Sequence, residues 1–202
     1  MTELPIAASA LQVLRSMTSL LGPNDETAQT PCRDYDVAAL GQHVIDSITR
    51  ISAAAGVTVA APQAAAVAAR IAAAGEATLA GWDRRGTDGE VFFAGRTLPA
   101  ADLLHVIALE FVVHGWDFAT AVASSIRVPD DLADDLLQLV QRTITPQSRR
   151  IAGFDGPFPS TPTPPPSNDC SPSPAGTLHR HSCIRGRDAL ASVKAAKSAL
   201  HL

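Results

Sequence analysis

Lysine is missing from residues 1–156, and cysteine occurs only three times in the 202-residue chain. Cys32, Cys170 and Cys183 have no framework-like spacing, which argues against a secreted disulfide scaffold and for reduced thiols. The formal charge of −4 offers no basic face for nucleic acid. No run looks apolar enough to span a bilayer, so no membrane partner is expected. Met1-Thr-Glu-Leu-Pro5 lacks the basic and apolar regions of a signal peptide, and the expected location is the cytoplasm. No internal repeat is visible at a period of roughly 20 to 50 residues, which leaves out solenoids and propellers.

What is there is 46% hydrophobic content, enough for one real core. The net charge hides an asymmetry. Residues 1–156 carry 11 arginines and 18 acidic groups, net −7, whereas residues 157–202 carry five basic and two acidic groups, net +3. Pro157 to Pro174 holds eight of the 15 prolines, a density incompatible with helix or central strand. The expected organisation is therefore a helical domain over 1–156, followed by a Pro/Ser-rich linker and basic tail over 157–202.

Apolar residues at Leu11, Leu14, Met17 and Leu20/Leu21 predict a first amphipathic helix over Ile6–Leu21, stopped by Gly22-Pro23. Asp34 or Asp36 is placed to cap a second helix from Val37 to about Ala54, with Val37, Leu40, Val44, Ile48 and Ile51 inward and Gly56 at its end. Pro62 suits the first turn of a third helix through about Trp82, rich in alanine and therefore thin. Its smooth face could pack closely within the fold or cover a second subunit in a homodimer. Asp83 to Gly89 carries turn chemistry, and Glu90 to Leu98 reads as a short strand or extended lead-in. A fourth helix runs from Ala100 to about Ser124. A fifth runs from Pro129 to about Thr143, with Leu132, Leu136, Leu139 and Val140 inward. The fold class is all-α, a helical bundle with short connections.

The fourth helix carries Glu110, His114 and Asp117 on its apolar side. At about 100° per residue, positions four and seven beyond Glu110 return to within roughly 40° of it, so a carboxylate and an imidazole on adjacent turns could grip one cation. An inward carboxylate without such compensation is costly. A buried Glu–His hydrogen bond fits the same spacing. Two ligands do not define a site, and the candidate third is His43, the only histidine upstream of this helix. Periodicity places His43 at the border of the second helix's apolar face, a position compatible with a cavity or with half exposure. Asp117 could orient an imidazole or a bound water, or make an ordinary helix contact.

Other polar and aromatic residues have plainer readings. Trp82 and Trp116 suit the core better than a pocket lining, His105 lies about 140° from Glu110, and Arg84 and Arg85 suit a solvated charge pair. Cys32 could approach a metal or thiol, but a small buried filler is the ordinary role of such a residue. Cys170, His179, His181 and Cys183 do not have the spacing of a zinc finger.

Thr30-Pro-Cys-Arg-Asp-Tyr-Asp-Val37, Leu40-Gly-Gln-His43, Leu98-Pro-Ala-Ala and Glu110-x-x-x-His114-Gly-Trp-Asp117, in that order, resemble the mycothiol-dependent maleylpyruvate isomerase metal-binding family, a branch of the DinB-like four-helix bundles. The resemblance runs from about residue 5 to Gly156. It implies a DinB-like bundle with an additional helix, and a divalent ion held by His43, Glu110 and His114. Zinc fits two imidazoles and a carboxylate, and nickel or iron would also fit. The resemblance further implies mycothiol as the thiol, and S-transfer or isomerisation of a small electrophile. It covers only the metal-binding bundle. The alternative of another class is a non-catalytic metal-binding interaction module, in which the ion chiefly ties helices together.

Beyond about residue 157 the family's usual closing segment gives way to Pro-Ser-Thr-Pro text. Either this tail is a disordered basic arm, or it is read in an altered frame.

Overall fold

The computed structural model describes residues 3–32, 34–60 and 66–143, the last five of these by backbone only. Pro62, the tail from Pro157 onward and the Cys170/His179/His181/Cys183 set lie outside the described residues. The described chain forms helices α1 (Glu3–Thr18), α2 (Val37–Ala54) and α3 (Val67–Arg85), strands β1 (Glu90–Phe93) and β2 (Arg96–Pro99), then α4 (Ala100–Ala121) and α5 (Asp130–Thr143).

Packing is ring-like among the first four helices. α1 touches α3 and α4, and α2 touches the same two, while α5 lies against α1 and α4. The all-α class is thereby established for the described residues. The inward stripe on α2 is as the periodicity requires, with Val37, Leu40, Val44, Ile48 and Ile51 all buried. Asp36 caps that helix, its Oδ1 accepting from the Ala39 N–H at 2.8 Å. In α5, Leu132 and Leu136 are buried against the core, whereas Leu139 and Val140 fall where only the backbone is described.

Several boundaries differ from the pattern. α1 stops at Thr18, because Leu20 and Leu21 turn their N–H groups onto Met17 and Thr18 in tighter i→i+3 bonds ahead of Gly22-Pro23. α3 continues past Trp82 to Arg85, whose guanidinium donates to the carbonyls of Ala55, Gly86 and Asp88 and lies over the Trp82 ring. Arg85 is thus a tie between the ends of α2 and α3, and Trp82 is fully buried core.

The thinness of α3 is used inside the fold. A Cβ built on Gly75 would strike the buried Leu11 of α1, and one on Gly41 of α2 would strike Val67 of α3. Glycine at these two points lets the helices close on each other.

Residues 90–99 form a two-stranded antiparallel hairpin rather than one strand, with Val91 opposite Leu98 and Phe93 opposite Arg96. Its two turn residues, Ala94 and Gly95, both have positive φ, 50° and 79°. That backbone is the one a two-residue hairpin needs, but asparagine or aspartate usually stands first, so the sequence signal is weak.

α4 is the core helix. Its 22 residues are, by length and composition, apolar enough to cross a bilayer, a correction to the sequence reading that no run is so apolar. In this fold 83% of the most apolar stretch is buried inside the protein. Nearly every side of α4 is covered, so the three polar residues at its middle sit deep among helices.

Candidate metal centre

The centre is assembled from α4, α2 and the loop that leads into α2. α4 brings Glu110, His114 and Asp117 to one side, with relative exposures of 0%, 1% and 0%. α2 brings His43, half-buried at the edge of its apolar stripe. The capped first turn of α2 sets the angle at which His43 meets α4, since Asp36 and His43 lie two turns apart on one rigid element.

The loop before α2 folds back on itself. The Thr30 hydroxyl is hydrogen-bonded to the carbonyls of Cys32 and Tyr35, at 3.1 and 2.7 Å, and the Tyr35 N–H donates to the Cys32 carbonyl at 2.9 Å. This closed turn holds two side chains against the centre. The Tyr35 ring stacks on His43 with centroids 5.0 Å apart, and Cys32 Sγ lies 3.4 Å from Asp117 Oδ2.

The structure brings together all three residues that the sequence nominated as ligands. One donor atom each from His43, Glu110 and His114 can be chosen so that all lie within 4.8 Å of one another. The two imidazoles meet edge to face at 5.2 Å. His114 Nε2 is 3.5 Å from Glu110 Oε2. That is longer than an ordinary N–H···O bond, and it matches the ~3.4 Å edge of a tetrahedron whose centre is about 2.1 Å from each ligand.

Asp117 joins the centre from the other face of the same ring. His114 Nδ1 lies 3.1 Å from Asp117 Oδ2, so an Nδ1–H donated there leaves the Nε2 lone pair aimed toward Glu110. A carboxylate behind a ligating histidine is the arrangement by which proteins fix tautomer and ring orientation at metal sites. The donor set is two imidazoles and one carboxylate, which suits a borderline divalent ion such as zinc.

Sequence reasoning gave Tyr35 no role at the site and favoured a buried filler over a metal or thiol contact for Cys32. Cys32 reaches Asp117 across 85 residues of chain, a tertiary proximity that no periodicity encodes. With His114 and Asp117 it makes a second group of candidate donors. Trp116 is half-buried beside the core, His105 is half-buried on another side of α4, and Arg84 is exposed.

The chain was compared with protein families, with curated proteins and with solved structures, and none of them matches it.

Proposed function

We propose that this chain is a divalent-metal protein in which His43, Glu110 and His114 hold one ion, and that it works with a low-molecular-weight thiol on a small electrophile. The observation that carries the metal reading is the convergence of these three donors, two buried and one half-buried, within 4.8 Å. Support for the thiol chemistry comes from the sequence resemblance, which points to a DinB-like bundle, to mycothiol and to S-transfer or isomerisation.

A bound divalent ion supplies Lewis-acid activation, lowering the pKa of a thiol or water that reaches it. The residues of the chain do the rest. Three protein ligands leave room for an exchangeable fourth, as in catalytic rather than structural zinc sites. Glu110 and His114 are sealed from solvent, whereas His43 and Cys32 are partly exposed, so a small molecule would approach from the His43 and Cys32 side. Asp117 keeps His114 in the tautomer that presents Nε2. Burial of the two α4 ligands excludes water from that side and strengthens the electrostatics there.

The test is elemental analysis of purified protein beside His43→Ala and Glu110→Ala variants, followed by calorimetric titration of the metal-loaded protein with mycothiol. One equivalent of zinc, nickel or iron in the wild type, lost in both variants, is the expected result. Unchanged metal content in either variant overturns the ligand assignment. Metal that binds without any heat from thiol addition would instead favour an ion that ties helices together without turnover.

A further inference from the structure

His114 presents two different surroundings to its two nitrogens. Nε2 faces Glu110, with His43 edge-on nearby. Nδ1 faces Asp117 Oδ2 at 3.1 Å, and that same oxygen is 3.4 Å from Cys32 Sγ. The donor atoms of Cys32, His114 and Asp117 all lie within 4.8 Å of one another. Sulfur, nitrogen and oxygen ligands around one ion, with metal–sulfur near 2.3 Å and metal–nitrogen near 2.1 Å, stand ~3.4–3.7 Å apart. The Sγ–Oδ2 separation of 3.4 Å falls in that range, and the Nδ1–Oδ2 separation of 3.1 Å is slightly shorter.

We propose that Cys32, His114 and Asp117 form a second cation position, on the Nδ1 side of His114, which selects thiophilic ions such as cadmium or mercury(II). This goes beyond the metal–thiol reading above and does not rest on it. The first donor set holds only nitrogen and oxygen. The second adds a thiolate, the ligand that soft cations prefer by the widest margin. Binding replaces the Cys32 S–H bond with a sulfur–metal bond and releases the thiol proton to solvent. The imidazole takes its other tautomer, the proton moving from Nδ1 to Nε2 beside Glu110, so Nδ1 can donate its lone pair to the ion. Asp117 Oδ2 exchanges its two hydrogen-bond donors for the cation, and its charge, buried at 0% exposure, is compensated better than before.

Because both positions draw on one imidazole, they compete. An ion on Nδ1 removes the orienting bond to Asp117 and disturbs the ligand geometry on Nε2. Cys32 is half-buried on the solvent side, so an arriving cation meets this sulfur before the sealed carboxylate of Glu110.

The test uses the full chain carrying Cys170→Ser and Cys183→Ser, which leaves Cys32 as the one thiol. It is titrated with cadmium chloride alone, read by the ultraviolet thiolate-to-cadmium absorption band, and helical circular dichroism confirms that each variant is folded. The band should saturate at one equivalent and vanish on Cys32→Ser. Asp117→Asn should weaken it roughly tenfold or more, while Glu110→Ala should leave it in place. No band, or a band of equal affinity in Asp117→Asn, overturns the proposal, since Cys32 would then bind nothing or act as an isolated thiol. Loss of the band in Glu110→Ala also overturns it, by making Cys32 a ligand of the first position. Zinc retained by the parent and lost by Glu110→Ala would uphold the first site whatever cadmium does, so the two readings fail separately.

Discussion

Asp117 Oδ2 accepts from His114 Nδ1 at 3.1 Å, one turn further along α4. The pair is buried on both sides, and it determines which nitrogen of His114 is available to a cation.

Replacing Asp117 with asparagine keeps the volume and removes the charge. Zinc affinity should fall by roughly 10- to 100-fold, the usual cost of losing the carboxylate behind a ligating histidine. Calorimetric titration of the apo protein with zinc measures it, and an unchanged affinity would show that Asp117 does not act through His114.

Tyr35 stacks on His43 at 5.0 Å and so limits the orientations of the one proposed ligand on α2. Tyr35→Ala should lower zinc affinity by about 2- to 10-fold, the equivalent of an aromatic pair worth ~0.5–1.5 kcal/mol. Tyr35→Phe, which retains the ring, should restore it. If both variants bind alike, the stacking has no part in holding the ligand.

Gly75 of α3 faces the side chain of Leu11, which is 1% exposed. Gly75→Val places branched carbons where Leu11 already sits, and the expected loss is about 2–3 kcal/mol, or roughly 4–12 °C in Tm. Differential scanning fluorimetry would reveal it. A variant as stable as the parent would mean that α1 and α3 can separate at little cost.

Ala94 holds a φ of 50° in the hairpin turn, a conformation that asparagine accepts more readily than alanine. Ala94→Asn should therefore stabilise the protein by about 0.5–1 kcal/mol, seen as a rise of roughly 1–4 °C in Tm. No rise would indicate that the hairpin opens independently of the helices.

The helices and much of the site were legible because their signals are local. Asp36 stands directly before an apolar stripe, and Glu110 and His114 are separated by one helical turn. His43 was legible only as a border residue, since periodicity fixes which way it points and not what it meets. The hairpin was hidden by Ala94 standing where a stronger turn former would have marked it. Cys32 reaches the site through a closed turn stitched by Thr30, and its contact with Asp117 depends on how α2 and α4 are docked. Such proximity exists only in the assembled bundle.

The apolar helix α4 finds its most extensive covering in α1, at the opposite end of the described chain. During synthesis the N-terminal helix therefore emerges long before its principal partner, and α1 to α3 alone enclose an incomplete interior. Closure over so long a stretch of chain is slow compared with local helix formation. The three nominated ligands can meet only after that late closure, so the capacity to capture an ion should appear among the last events of folding and serve as a direct readout of its completion.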